Sequence, residues 1–302
     1  MIKGLVITPP IVGRISIGKV VVRNDRRLPE KDDQFTITKQ VQTQEGWILH
    51  PKDAELRKNT ANGKLRTIPV TMLFNDPNLN FRAEYSLFDR SSGRPLCVGN
   101  GETCKRVGAK SIEKMDCPSP DICPLGRGAC KPYGRLNVKI GDDDEMGTFV
   151  FRTTGFNSIR TLTARLSYYK AVSGNALACM PLELRLRSKS TTQSYRTPIY
   201  YVDLCVRAGK TLEEAISEAK ALDAQRKAAG FDQEALEAAA YEGFGNGSFE
   251  ESSEDVPEIL EEFYPEGNDA ADQAATVRTL PQQSKPSLKE KLDQKVTLNG
   301  AV

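Results

Sequence analysis

The 302 residues include a single histidine, His50. Any triad or dyad that takes imidazole as its base would have to rest on that residue alone. Its setting, Trp47-Ile48-Leu49-His50-Pro51, is that of a surface turn. No run of about 18 apolar residues occurs, so no transmembrane helix is expected. The start, Met1-Ile2-Lys3-Gly4-Leu5, lacks the apolar core of a secretion leader, and a cytoplasmic location is the expectation. The cysteines number seven, an odd count, and none forms a CxxC pair. Without an export signal this argues against a disulfide framework. Hydrophobic residues are 39% of the chain, a low share, so part of it is expected to lie outside any core.

What is present is a strong charge asymmetry behind a net charge of +2. Residues 1–210 hold 34 Lys and Arg against 20 Asp and Glu, while residues 211–302 hold 8 against 20. A basic body points to a polyanion partner, and the acidic block is a competitor for the same surface. The plainer alternative is a solvated surface with a solubilising tail.

The pattern is that of an α+β chain with a mixed or antiparallel β-rich core. Residues 67–74 form a β-rich run, followed by the turn cluster Asn75-Asp76-Pro77-Asn78. Leu79, Phe81, Ala83, Tyr85 and Leu87 then alternate with polar residues, and the two runs read as a hairpin. Further strands are expected at 136–140, 148–152, 182–187 and 199–206. Ser158 to Lys170 reads as a helix capped by Asn157 or Ser158, with Ile159, Leu162, Leu166 and Tyr169 on one face. Thr211 and Glu214 form a capping box for a helix that stops at Gly230, and a second helix follows over 233–241. The organisation expected is a basic core over 1–210, a helical segment over 211–245, and a disordered acidic tail over 246–302. Within the tail, Val256 to Tyr264 mixes acids with apolar residues in the manner of a segment that folds on a partner.

Five cysteines crowd into 97–134, which reads as a loop-rich insertion. Zinc takes four tetrahedral ligands and favours thiolate sulfur. Cys104, Cys117, Cys123 and Cys130 are the preferred set, with Cys97 as substitute. Pro and Gly around them favour tight loops that a Zn2+ ion can hold where apolar residues are too few. An iron–sulfur cluster and unligated thiols are the alternatives. Four thiolates leave no open position, so the site reads as structural and not catalytic. Cys179 and Cys205 read as buried thiols.

Asp142-Asp143-Asp144-Glu145 could bind a divalent cation as nuclease carboxylates do, but reads first as a solvated turn. Gly99-Asn100-Gly101-Glu102-Thr103 lacks the Lys-Ser/Thr ending of a phosphate loop and reads as a turn. Residues 151–200 hold eight Lys or Arg and one acid, Glu183, interleaved with six aromatics including Phe156 and Tyr168. Arg152, Arg160, Arg165, Arg185, Arg187 and Lys189 are candidates for DNA contact, because basic groups neutralise phosphates and aromatics stack on bases.

Several words in the sequence resemble the recombination directionality factors of actinobacteriophages that use large serine integrases. They are Ile7-Thr8-Pro9-Pro10, Gly13-Arg14-Ile15-Ser16-Ile17-Gly18, the stretch 28–35, Leu73-Phe74-Asn75-Asp76-Pro77 and Gly99 to Lys105. Cys117-Pro118-Ser119-Pro120-Asp121, the stretch 130–136 and the stretch 151–160 continue the likeness, which spans about 1–245 and leaves out the acidic tail. The resemblance implies a non-enzymatic partner of a serine integrase on DNA, in the bacterial host cell, that turns the integrase from integration to excision. The rival function is a single-stranded-DNA-binding or annealing accessory of mobile-element replication and recombination.

Overall fold

The computed structural model describes residues 10–23, 26–43, 46–60, 62–108, 111–126, 128–141, 146–190, 192, 198–244, 259–260 and 263–264. Side chains are described at these positions except 19–31, 42–46 and 243–244. The chain divides into two units, Met1–Phe263 and Tyr264–Val302. In the second unit only Tyr264 is described.

The strands of the first unit are β1 (Ile11–Arg23), β2 (Arg26–Thr43), β3 (Gly46–Leu49), β4 (Thr67–Val70), β5 (Phe81–Phe88), β6 (Pro95–Gly99), β7 (Thr103–Val107), β8 (Ile112–Asp116), β9 (Lys131–Val138), β10 (Thr148–Thr153), β11 (Leu182–Lys189) and β12 (Ile199–Val206). The helices are α1 (Pro51–Lys58), α2 (Pro77–Asn80), α3 (Phe156–Val172), α4 (Leu212–Ala228) and α5 (Gln233–Phe244). A nine-stranded sheet runs β3-β2-β1-β10-β9-β5-β6-β7-β8, and a three-stranded sheet runs β12-β11-β4. The large sheet is mixed: β1 lies parallel to β10 and antiparallel to β2. The α+β class is therefore as the sequence indicates.

Strand alternation decides the two faces of the large sheet. Ile37, Ile15, Phe151, Leu136 and Phe81 pair in turn across five adjacent strands and are all buried. They form one wall of the core. Leu182, Leu184, Val202 and Leu204 of the small sheet and Ile159, Leu162 and Leu166 of α3 belong to the same core. Each such side chain contributes about 1.5–3 kcal/mol on burial. A residue one place along each strand points to the opposite face.

Several expectations are corrected. The runs 67–74 and 79–87 do not pair as a hairpin. β4 joins β11 in the small sheet, while β5 joins β6 and β9 in the large one. Asn80 holds the crossing between them: its side chain accepts from the N–H groups of Leu73 and Phe74 and donates to the carbonyl of Phe74. α3 begins two residues early, with Gly155 as its cap, so neither Asn157 nor Ser158 caps it. The Ser158 hydroxyl is buried and instead accepts from Val202 N–H at 3.0 Å, fastening α3 to β12. Residues 95–99, 103–107 and 112–116 are not loop but three strands that extend the large sheet. α1 is a helix that begins where the sequence reads as a surface turn, and His50 is its N-cap, with Nδ1 accepting from Lys52 N–H. The capping box at Thr211 and Glu214 is formed as expected. Among the described residues no helix is long and apolar enough to cross a membrane.

The expected disordered tail lies outside the described residues except at 259–260 and 263–264. Of these, Ile259 and Phe263 are fully buried.

Candidate functional site

The β5–β8 end of the large sheet gathers the five clustered cysteines. Leu87 pairs with Cys97 and Gly99 with Cys104, which sets both thiols on the core side of the sheet. The loop after β8 folds back over them, and Cys117 N–H bonds to the carbonyl of Glu102 at 2.8 Å. Cys97, Cys104, Cys117, Cys123 and Cys130 all line one void of about 10 Å³, about enough for a single water-sized sphere. Gly99 permits the close approach. A Cβ there would come within 2.6 Å of Cys104 Cβ and 3.1 Å of Cys117 Sγ.

Cys97 is thus a full member of the cluster, and like Cys104 it is buried. Sequence spacing alone left it as a substitute, because it lies on a strand ahead of the Gly- and Pro-rich loop. The Arg106 guanidinium stands 3.9 Å from Cys123 Sγ. Burial, then the hydrogen bond and charge of Cys97, pushes the Cys104 thiol up to about 11. Burial, then the charges of the neighbouring cysteines, pushes Cys130 up to about 12. A crowd of thiols opposes thiolate formation unless a cation compensates. The donors are right in kind for zinc and surround one void. Yet no three of the His, Cys, Asp and Glu side chains stand in a metal-holding arrangement among the described residues. All seven cysteines are free thiols.

The six basic residues singled out from the sequence separate into two places. Arg165 of α3 and Arg187 of β11 both bind Asp203 of β12, at 3.1 and 2.7 Å. Burial would push the Asp203 carboxyl up, but bonds from Arg187 and Arg165 outweigh it and hold it below its usual range. Arg185 binds the buried Glu183 at 2.6 Å, and Glu183 also accepts from Ala208 N–H. Lys189 donates to Asn157 at 2.7 Å and is exposed, as is Arg160. The side chains of Phe156 and Tyr168 are exposed on α3. Five of the candidates therefore share the β11–β12–α3 surface, and three of them are neutralised within the fold. Asp203, which does most of that, lay outside the basic window read from the sequence. Its alternation with Leu204 and Val202 was the signal available.

Arg152 stands elsewhere, on the outer face of the large sheet. It pairs directly with Arg135, which pairs with Arg82. Glu84 lies near both Arg82 and Arg135, at 3.5 and 3.8 Å. At one end of this face the Phe263 ring meets Phe88 and Tyr133 edge-on, with centroids 4.6 and 5.1 Å away. Lys131 Nζ donates to the Phe263 carbonyl at 2.6 Å. The acidic stretch 142–145 lies outside the described residues.

Neither the curated proteins nor the solved structures yield a match. A family model described as Gp3-like, recombination directionality factor-like, matches residues 12–207. The matched span runs from β1 to the end of β12 and includes the cysteine cluster and both basic surfaces. The chain belongs to the Gp3-like, recombination directionality factor-like family.

Proposed function

We propose that the chain is a non-enzymatic recombination directionality factor that binds a serine integrase on its attachment-site DNA and switches it from integration to excision. The observation that carries this is the family match over 12–207. The exposed basic residues of the β11–β12–α3 surface fit a protein that works beside DNA. Such a factor makes and breaks no covalent bond. It binds one arrangement of the integrase on its sites more tightly than the other, and that differential affinity shifts the population.

The test is recombination in vitro with the serine integrase encoded in the same genome. Adding the chain lets the integrase recombine the junction sites it otherwise leaves alone, and depresses joining of the original sites. No change in either reaction sinks the proposal.

The exposed Phe156 and Tyr168 beside Arg160 favour a second reading, a single-stranded-DNA-binding or annealing accessory. Tight, steeply salt-dependent binding to single strands without integrase would support it over the first.

We also propose that the cysteine cluster holds a structural Zn2+ ion through four of Cys97, Cys104, Cys117, Cys123 and Cys130. The support is the all-sulfur donor set around one void. Bound zinc supplies no catalysis with four thiolates around it. The cysteines themselves would tie the loop 117–130 to β6 and β7.

A further inference from the structure

The large sheet ends at β8. Four of its five residues are exposed, and Met115 is half-buried. The bonding pattern tells which backbone groups face outward. Cys117 N–H bonds to the Glu102 carbonyl, and Gly108 N–H bonds to that of Ser111. Both pairs continue the β7–β8 register, in which Cys104 opposes Met115 and Arg106 opposes Glu113. Hydrogen-bonded pairs alternate with non-bonded ones in an antiparallel ladder. Glu113 and Met115 therefore bond to β7, while Ile112, Lys114 and Asp116 turn their N–H and C=O groups outward. The Asp116 carbonyl lies 3.7 Å from Cys104 Sγ and keeps its second lone pair.

An open row of backbone groups is a template for another strand. The side chains select which one. A second copy related by a two-fold axis across this edge keeps each residue on its own face, so the register must centre on a residue. Centring on Glu113, Lys114 or Asp116 sets a like charge against itself. Centring on Ile112 runs the pairing off the start of the strand. Centring on Met115 sets Lys114 against Asp116 of the second copy, and Asp116 against Lys114 of the second copy. Both are outward-bonding positions, so opposite charges meet where the new hydrogen bonds form. Neither Lys114 nor Asp116 has an ion-pair partner among the described residues. Val107 and Ile112, directly paired and both exposed, border the charge pair on the same face.

We propose that β8 is a self-association edge, at which two copies of this chain pair antiparallel about Met115 with a Lys114–Asp116 bridge on either side of the axis. The contact is short and falls at the low end of interface sizes, so the dimer forms at micromolar and not nanomolar chain concentration. Neither integrase nor zinc takes part in it, so it stands apart from the proposed function.

Sedimentation velocity follows the full-length chain up to about 100 µM. The unaltered chain is expected to shift from monomer to dimer. Lys114→Glu or Asp116→Lys alone sets like charges together at both bridges, and each is expected to weaken the dimer at least ~10-fold. Mixing those two variants re-creates opposite charges at both bridges and restores the dimer. Hydrogen exchange of the unaltered chain needs no variant to fold: the amides of Lys114 and Asp116 gain protection as concentration rises. The proposal is overturned if the unaltered chain stays monomeric, which would make these charges a guard against edge pairing. It is equally overturned if the dimer survives both single reversals, or if mixing variants that melt like the parent fails to restore it. Equal exchange of the two amides in monomer and dimer would place the contact elsewhere and overturn it as well.

Discussion

Asp203 sits directly across from Arg185 on the neighbouring strand, yet it gives its carboxylate to Arg187, at 2.7 Å. Arg165 reaches the same carboxylate from α3. Two of the cations that made this segment resemble a nucleic-acid surface are thereby committed to holding the helix against the small sheet. The remaining freedom to meet phosphate rests with residues at the edge of the cluster.

Asp203→Asn is expected to lower stability by about 1–3 kcal/mol at neutral pH, because two part-exposed guanidiniums lose a buried partner. The folded-state carboxyl titrates below its usual range, so its contribution is present above the unfolded value. That contribution fades as pH falls through the depressed folded value. Denaturant unfolding of both proteins across acidic pH should show the gap closing. A gap that stays constant would show that charge is not the cause.

Arg160→Ala and Lys189→Ala, both at exposed positions, should leave melting within about ±0.5 kcal/mol of the parent. In the integrase–DNA complex each should reduce the salt slope by about one if it meets a phosphate. Arg187→Ala should do the reverse, with a clear loss of stability. Equal effects from all three would contradict the division drawn between edge and interior.

Zinc is expected at about one ion per purified chain, measured by elemental analysis. Chelation, Cys117→Ser and Cys123→Ser should each lower the melting temperature, because the loop over the cluster has few apolar contacts of its own. Substoichiometric metal with unchanged melting would defeat the zinc proposal.

Asn80→Ala should cost about 2–3 kcal/mol, since it strands the buried N–H groups of Leu73 and Phe74 and frees a carbonyl. Thermal melting checks it. A loss below about 0.5 kcal/mol would mean that the crossing between the two sheets is held by other contacts.

Period-two alternation and helix-capping chemistry are local, and they were legible. Strands β5, β10, β11 and β12, helix α4 with its Thr211–Glu214 cap, and the inward face of α3 all follow from residues near one another in the chain. The crowding of cysteines was legible for the same reason. Pairing was not. β4 precedes β5 by a turn-like cluster, but Asn80 binds the backbone there and sends the two strands to different sheets. Cys97 joined the cluster because β6 and β7 pair, which no spacing rule indicates.

By itself, then, the sequence determined the α+β class, the crowding of five cysteines, the split between basic body and acidic arm, and the family words. Tertiary structure decided which charges are available. Asp203 and Glu183 neutralise arginines of one basic stretch, strand pairing aligns Arg82, Arg135 and Arg152 from distant segments, and Phe263 of the acidic arm is seated on that same face. Charge is a property of composition, but its availability depends on distance, and distance between remote residues exists only once the sheets have formed.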